Sequence, residues 1–504
     1  MSDVNARALA RNSLHMQAVQ LAQMASRLVL TPIMLARLGL EGYGVWVLLF
    51  SLGAYATALN TGVVWAYVKL TAELDERQEY ALLSQVVSSG AVLMAAAATI
   101  VLGAVWLLRG ILLPAIGVPP PALYEAQLAL AVLSAAVLVD TSLGAALPVL
   151  AGLQRMDLQY RFILVGSLAD FVTALTMLSN GYGVLSLASG FLAGKLVAGG
   201  VAFLVCRRLR PALVLAPWRA RLAALRRLMP LGFRLQGVVL LYTLARESVR
   251  LLISTLFGAA ALGTYQLADR VLFFAKSPVG AILSPLMPAF SGLAARGQTE
   301  RGRALFAQAS TVTAAGAALS LLFAAMFADP ILRAWTGHDI PNAAWTVRVL
   351  APAEFAALLT GVAVAALRAA GTVGLELRFA LAASVLALVA VAVGYPIAGY
   401  AGSVVAIAVG RCVAATWFLR RLPLAWTVDR RDYAFRTLVW SVVTVTPVVL
   451  AAKLVSTGLP DSAGRWMTLA TIALLGAASA LAVAAMTWLV LLSKEDRAAL
   501  RDGW

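Results

Sequence analysis

Arg246 and Arg250 stand one helical turn apart in the apolar run LYTLARESVRLLIS, so both project to one face, with Glu247 rotated about 100° from Arg246. Two guanidiniums on one face suit a phosphate or pyrophosphate, because the planar arginine fork binds it bidentately and keeps its charge when buried. A second reading stays open: Glu247 pairs internally with one of the arginines or with Lys276. Downstream, TYQLADRVLFFAKSP adds Asp269, Arg270 and Lys276. Asp269 and Lys276 share nearly one face, and Arg270 lies near the expected outer interface, where it can snorkel. Arg27, Asp140, Asp170, Lys195, Glu354 and Arg411 each sit singly within apolar segments. Ionisable groups at such depth are costly and face a cavity or a partner. Arg27, Arg246, Arg250, Lys276, Arg270 and Arg411 are therefore expected to engage an anionic substrate. Glu247, Asp269, Asp140, Asp170 and Glu354 are read as sites for a coupling proton or sodium ion, or as salt-bridge support. Gln17, Gln20, Gln23, Asn60 and Gln236 are expected to give the cavity a polar lining.

The elements that must hold these groups are repeated. Arg27 and Arg246 lie 219 residues apart, and at that offset Gln17, Gly39, Gly44 and Trp46 align with Gln236, Gly258, Gly263 and Tyr265. A half-protein repeated with an arginine at matching depth implies two lobes around a shared polar path through a membrane.

Composition fixes the class. Of 504 residues, 62% are hydrophobic and 12% charged, with a mean hydropathy of +0.87; soluble domains run nearer ~45–50% and ~25%. The net charge of +17 falls mainly between apolar segments, so it reports membrane topology and not a nucleic-acid surface. Cys206 and Cys412 are far apart and give neither a disulfide framework nor a metal site, and no cofactor is expected. The first apolar run is interrupted by Gln17, Gln20, Gln23 and Arg27, which reads as an uncleaved first span. No G-x4-G-K-[ST] loop and no paired-carboxylate catalytic spacing occurs, so no enzyme is expected. The GYG stretches lack the re-entrant TVGYG context of a potassium filter.

About fourteen stretches are long enough to span a bilayer core as helix: 13–37, 45–69, 82–108, 124–150, 159–179, 183–206, 229–256, 263–290, 305–328, 347–369, 376–395, 397–420, 435–455 and 467–492. The fold class is thus an all-α polytopic membrane protein. Two six-helix lobes (1–206 and 229–420) flank a basic linker (207–228), and two further helices and a tail follow (421–504). SPVGAILSPLMP is expected to kink the eighth span, and GYP at 394–396 to join the eleventh and twelfth. Arginines crowd alternate loops, notably Arg207, Arg208, Arg210, Arg219, Arg226 and Arg227, which assigns both termini to the cytoplasm. Within the linker, PWRARLAALRRL separates leucines from basic residues on a helix. It reads either as a surface helix on the anionic leaflet or as a plain connection.

The passage LARLGLEGYGVWVLLFSLGAYATALNTGVVWAY, from Leu35 to Tyr67, resembles the opening of O-antigen-type polysaccharide flippases, with the turn Asn60-Thr61-Gly62-Val63 closing the second helix. These belong to the multidrug/oligosaccharidyl-lipid/polysaccharide (MOP) exporter superfamily. LGTYQLADRV at 262–271, ILSPLMPAFS at 282–291 and RAWTG at 333–337 continue the likeness. The resemblance implies two six-helix lobes around a central cavity lined by the first and seventh helices. It also implies alternating access that moves a polyprenyl-diphosphate-linked oligosaccharide across a bacterial inner membrane, beside a polymerase and chain-length machinery. Many members carry Asp where this chain has Asn60, so no proton role is carried over to it. A peptidoglycan-precursor flippase and a cation-coupled small-molecule exporter of the same superfamily are the alternatives.

Overall fold

The computed structural model describes residues 3–58, 60–283, 285–422, 437, 439, 441–457 and 464–487. Arg430, Arg431, Arg436, Asp461 and the C-terminal tail lie outside the described residues, as does the side chain of Gln236. The described chain is helical, with no strand among its residues: α1 (Asp3–Ala58), α2 (Thr61–Glu76), α3 (Tyr80–Ala115), α4 (Leu123–Ser142), α5 (Ala146–Gly152), α6 (Met156–Ser179), α7 (Leu185–Leu209), α8 (Leu222–Leu283), α9 (Leu286–Ala295), α10 (Thr299–Met326), α11 (Ala328–Thr336), α12 (Pro341–Ala369), α13 (Val373–Arg420), α14 (Ser441–Thr457) and α15 (Arg465–Met486). A bilayer enforces this, because every spanning backbone N–H and C=O must find its partner within the segment.

Among the described residues ten helical stretches are long and apolar enough to cross a membrane. Three of them, His15–Ala58, Val239–Ala295 and Gly374–Arg420, are broken by non-helical residues and count as two crossings each, and the shorter apolar Ser441–Ser456 supplies one more. The expected fourteen are accounted for. The protein is an all-α polytopic membrane protein.

The repeat is written into the backbone. Gly39 breaks α1 at φ 67, ψ −178, and Gly258 breaks α8 at φ 84, ψ 170. Both occupy the left-handed region that glycine tolerates without steric cost. Beyond each break the two helix arms meet through equivalent atoms. A Cβ on Gly44 would lie 1.8 Å from the Ala259 carbonyl oxygen, and one on Gly263 would lie 2.4 Å from that of Leu40. Leu40 and Ala259 are themselves related by the 219-residue offset, so the contact is reciprocal, with a glycine on each arm letting the backbones approach closely. Gly44→Val and Gly263→Val are each expected to lose most monodisperse protein in size-exclusion chromatography, since neither backbone can yield. Overpacking costs ~1–3 kcal/mol or more. Gly103→Val, with open space around its Cα, is the control that keeps its yield; equal yields for all three would refute the crossing.

Contacts divide the chain into Met1–Gly263 and Thr264–Trp504, the first of which takes in the expected seventh span. The lobe boundary at 207–228 is a separate, topological division and remains a proposal. In the first unit, Tyr67, Leu83, Val86, Leu150, Cys206 and Leu228 form a buried core. The basic linker packs on it. Ser84, Ser88 and Ser89 of α3 accept the backbone N–H groups of Val214 (2.9 Å), Ala216 (3.1 Å) and Arg221 (2.7 Å), and Ser89 donates back to the Arg221 carbonyl. Arg210 forks onto Asp75 at 2.7 and 3.0 Å and holds that carboxyl below its ordinary range. Of the stretch read either as a surface helix or as a plain connection (217–228), Pro217–Arg219 is a 3-10 turn and the helix begins only at Leu222, as the first residues of α8. Leu213 of the strap that precedes α8 and Leu228 of α8 are buried in the protein core, while Leu222 is exposed; the serines satisfy the strap's backbone ahead of the helix.

The fourth span breaks at Leu143–Ala145, just ahead of Pro148, whose missing N–H leaves the Gly144 carbonyl without its helical donor. In the second unit Phe290, Phe306, Val362, Ala363 and Phe418 build the core. The proline-rich stretch does break the eighth span, between Leu283 and Leu286. The turn expected at 394–396 falls at Ala398 and Gly399. The two arms of α13 then run back along each other, with Gly394 against Gly402 and Ser403 donating to the Val391 carbonyl at 3.2 Å.

Candidate functional site

In the first unit Glu247 is the hub. Its side chain is 0% exposed and its carboxylate accepts from Arg246 Nε (2.8 Å), Arg250 Nη1 (2.9 Å) and Ser51 Oγ (2.7 Å). The bare arginine pair drawn from the sequence is thus occupied by an internal anion, and the two arginines differ. Arg250 exposes 10% of its side chain, Arg246 62%. Of the two, Arg246 alone opens outward. The alternative partner for Glu247, Lys276, is spoken for elsewhere, as described below. Next to this hub Tyr55 and Ser248 hydroxyls lie 2.9 Å apart.

Arg27 is exposed on α1 at the position the repeat assigns it, twelve residues before its glycine as Arg246 is before Gly258. That places each arginine ~18 Å from its break. Thr31 donates to the Arg27 carbonyl at 2.7 Å, and Gln23 on the preceding turn donates to Ser167 Oγ at 3.1 Å. Asp170 on α6 feels the charges of both Arg27 and Lys195, and Lys195 Nζ sits 2.9 Å from Asp140 Oδ1. α1, α4, α6 and α7 are thereby linked through acidic and basic side chains. Glycines make this possible. Gly190 and Gly194 let α7 lie directly against Asp170, where a Cβ would come within 2.9 Å of it. Gln17 is half-buried and Gln20 exposed on the same helix, and Asn60 is half-buried in the turn before α2 without capping it.

In the second unit a separate cluster forms around Glu354 of α12, which accepts from Lys276 Nζ at 2.5 Å and Arg411 Nη1 at 2.8 Å. Tyr400 shares a hydrogen bond with Thr346 at 3.0 Å. Arg270 is half-buried, and its Nε is buried with no acceptor among the described residues. Among those residues no group of three or more His, Cys, Asp or Glu side chains is assembled that would hold a metal ion.

Residues 121–340 match the family described as polysaccharide biosynthesis protein. No curated protein matches the chain in sequence. Among solved structures, "Lipid II flippase MurJ, inward closed conformation" aligns with a TM-score of 0.72 over 96% of this chain and 100% of its own, at 12% identity. An inward-facing multidrug resistance MATE family transporter of the MOP superfamily aligns at 0.69 over 81% and 96%, at 15% identity. An outward-facing multidrug resistance MATE family transporter of the same superfamily aligns at 0.60 over 84% and 96%, also at 15%. The fold is similar to that of these transporters. The likeness read from Leu35–Tyr67 therefore stands at the level of fold.

Sequence reasoning did not single out Ser51, Tyr55, Ser167, Ser248, Thr346 or Tyr400 as site residues. Ser51 and Tyr55 are one turn apart on the arm after Gly39, a spacing a helix face would need, but nothing distinguishes them in sequence from the hydroxyls that merely bond their own helix, such as Thr99 and Ser134.

Proposed function

We propose that the chain is a transporter that flips a polyprenyl-diphosphate-linked oligosaccharide, an O-antigen or exopolysaccharide repeat unit, across a bacterial inner membrane by alternating access. The observation that carries this reading is the matched exposure of Arg27 and Arg246 in spanning helices. A guanidinium opening into lipid costs several kcal/mol, so both are assigned to a wet path, and two cations at equivalent depth fit an anionic headgroup travelling along it. Glu247 neutralises one charge, and Arg246 remains the outward donor while Arg250 orients the carboxylate. Arg27 would meet the diphosphate from the opposite half of the repeat, with Gln17, Gln20 and Gln23 hydrogen-bonding water or sugar. Asp170, Asp140, Asp269 and Glu354 are the carboxylates proposed to exchange a coupling ion. Movement of 13–206 against 229–420 would reverse access. The loop charges support a cytoplasmic position for both termini, and a polysaccharide polymerase would take the product.

The match of residues 121–340 to polysaccharide biosynthesis proteins supports the glycan substrate. Coverage of 96% of this chain by the lipid II flippase alignment, against 81% by the MATE transporter, supports a flippase over a drug exporter and keeps lipid II as the second reading. The test is reconstitution of the full chain in liposomes loaded with a fluorescent polyprenyl-diphosphate oligosaccharide. Exposure of the glycan to an external glycosidase should run roughly tenfold faster than in empty liposomes, a barrier difference of ~1.4 kcal/mol. Acceleration of lipid II alone would transfer the assignment to the second reading, and acceleration of neither would end both.

A further inference from the structure

Outside the charged clusters, the second unit carries an apolar groove of about 770 Å³ between α12 and the second arm of α13, a size typical of ligand clefts. Val349 and Pro352 form one wall. The other is a ridge of short branched side chains, Val405, Val409 and Val413, which recur every fourth residue and are 43%, 55% and 53% exposed. The opposite face of the same arm, with Val404, Ile407, Ala414 and Phe418, is buried in the protein. Arg411 faces the Glu354 cluster, so the groove is chemically separate from it. At the C-terminal end the lining changes character: Thr416, Trp417, Arg420 and Arg421 close the groove, with the Arg421 guanidinium 5.5 Å from the Trp417 ring.

We propose that this groove binds one anionic glycerophospholipid, an acyl chain lying along the valine ridge and the phosphate on Arg420 and Arg421. Three observations converge. From Val405 to Thr416 the helix rises ~16 Å, close to half of a ~30 Å hydrocarbon core, so the apolar part is one leaflet deep. Arg420 then comes one turn beyond it, at headgroup level, beside an indole at home in that layer. Two adjacent arginines favour an anionic headgroup over a zwitterionic one, and the loop charges assign this end to the cytoplasmic leaflet, where anionic lipids concentrate.

Cys412 lines the groove and reports its occupancy, while Cys206 is 0% exposed and serves as an internal reference. The full-length protein is placed in nanodiscs of phosphatidylcholine alone or of equal parts phosphatidylcholine and phosphatidylglycerol. Alkylation of each cysteine by a neutral, lipid-soluble maleimide is followed by mass spectrometry. Phosphatidylglycerol should slow labelling of Cys412 by about fivefold or more. The slowing should vanish in an Arg420→Ala, Arg421→Ala variant and persist with lysine at both positions. Equal rates in the two bilayers overturn the proposal, as does full protection in the alanine variant. Should that variant fail to insert, Val409→Trp fills the trough: Cys412 should then label slowly in both bilayers, and retained dependence on phosphatidylglycerol would overturn the proposal.

Discussion

Glu247→Gln is expected to unfold the first unit or to lower its melting temperature by several degrees. The carboxylate is fully buried and balances two guanidiniums, one of them with only 10% of its side chain exposed. Removing one member of such an arrangement leaves a charge without its counter-ion, which costs about 3–5 kcal/mol. Glutamine is nearly isosteric and still accepts the Ser51 hydroxyl, so any loss measures the charge and not the shape. Arg250→Gln should behave similarly, because it removes the buried partner. Arg246→Gln should not, because its guanidinium is mostly exposed and an exposed pair contributes only ~0–1 kcal/mol. A Glu247→Leu, Arg250→Leu double variant should recover much of the stability, as apolar replacements of buried pairs often do. Thermal unfolding in detergent, followed by tryptophan fluorescence, separates the four. An unchanged midpoint for Glu247→Gln would mean that the carboxylate is not the structural counter-ion its contacts describe.

The second large effect is expected in transport. Arg27→Ala and Arg246→Ala should each abolish glycan export in a flippase-deleted strain while leaving protein level and insertion intact. Lysine at either position should restore it only in part, retaining the charge and losing the bidentate fork. The structure sharpens this test by separating Arg246 from Arg250: the first should fail in export with normal stability, the second in stability first. Export is normalised to membrane protein level. Normal export by the Arg27→Ala, Arg246→Ala double variant would remove the diphosphate path from consideration.

Much of this was legible before any coordinates. Hydropathy located the spans, since a bilayer permits few alternatives to a helix of set length. The 219-residue offset paired Gly39 with Gly258, and the structure gives both a matching left-handed conformation, a backbone that only glycine takes readily and that so leaves a mark in sequence. Pairing was less legible. Glu247 offered Arg246, Arg250 and Lys276 as partners, and sequence spacing cannot show that Ser51, nearly two hundred residues away, supplies the third donor. Lys276 was matched with Asp269 or Glu247 and Arg411 looked isolated, because their shared partner, Glu354, lies on α12. The linker misled for a related reason. Its leucine and arginine spacing is helical and the helix does form from Leu222, but serines on α3 take the backbone N–H groups of Val214, Ala216 and Arg221 ahead of it, so the helix starts later than the spacing suggests.

That strap has a consequence for how the polypeptide is measured out. A slack tether tolerates added length cheaply, each doubling costing only ~0.6 kcal/mol of closure entropy. Here Val214, Ala216 and Arg221 are registered on Ser84, Ser88 and Ser89, and Arg210 is latched to Asp75. The connection acts as a splint whose span is counted in residues, so its length is as much a part of the fold's specification as any buried side chain.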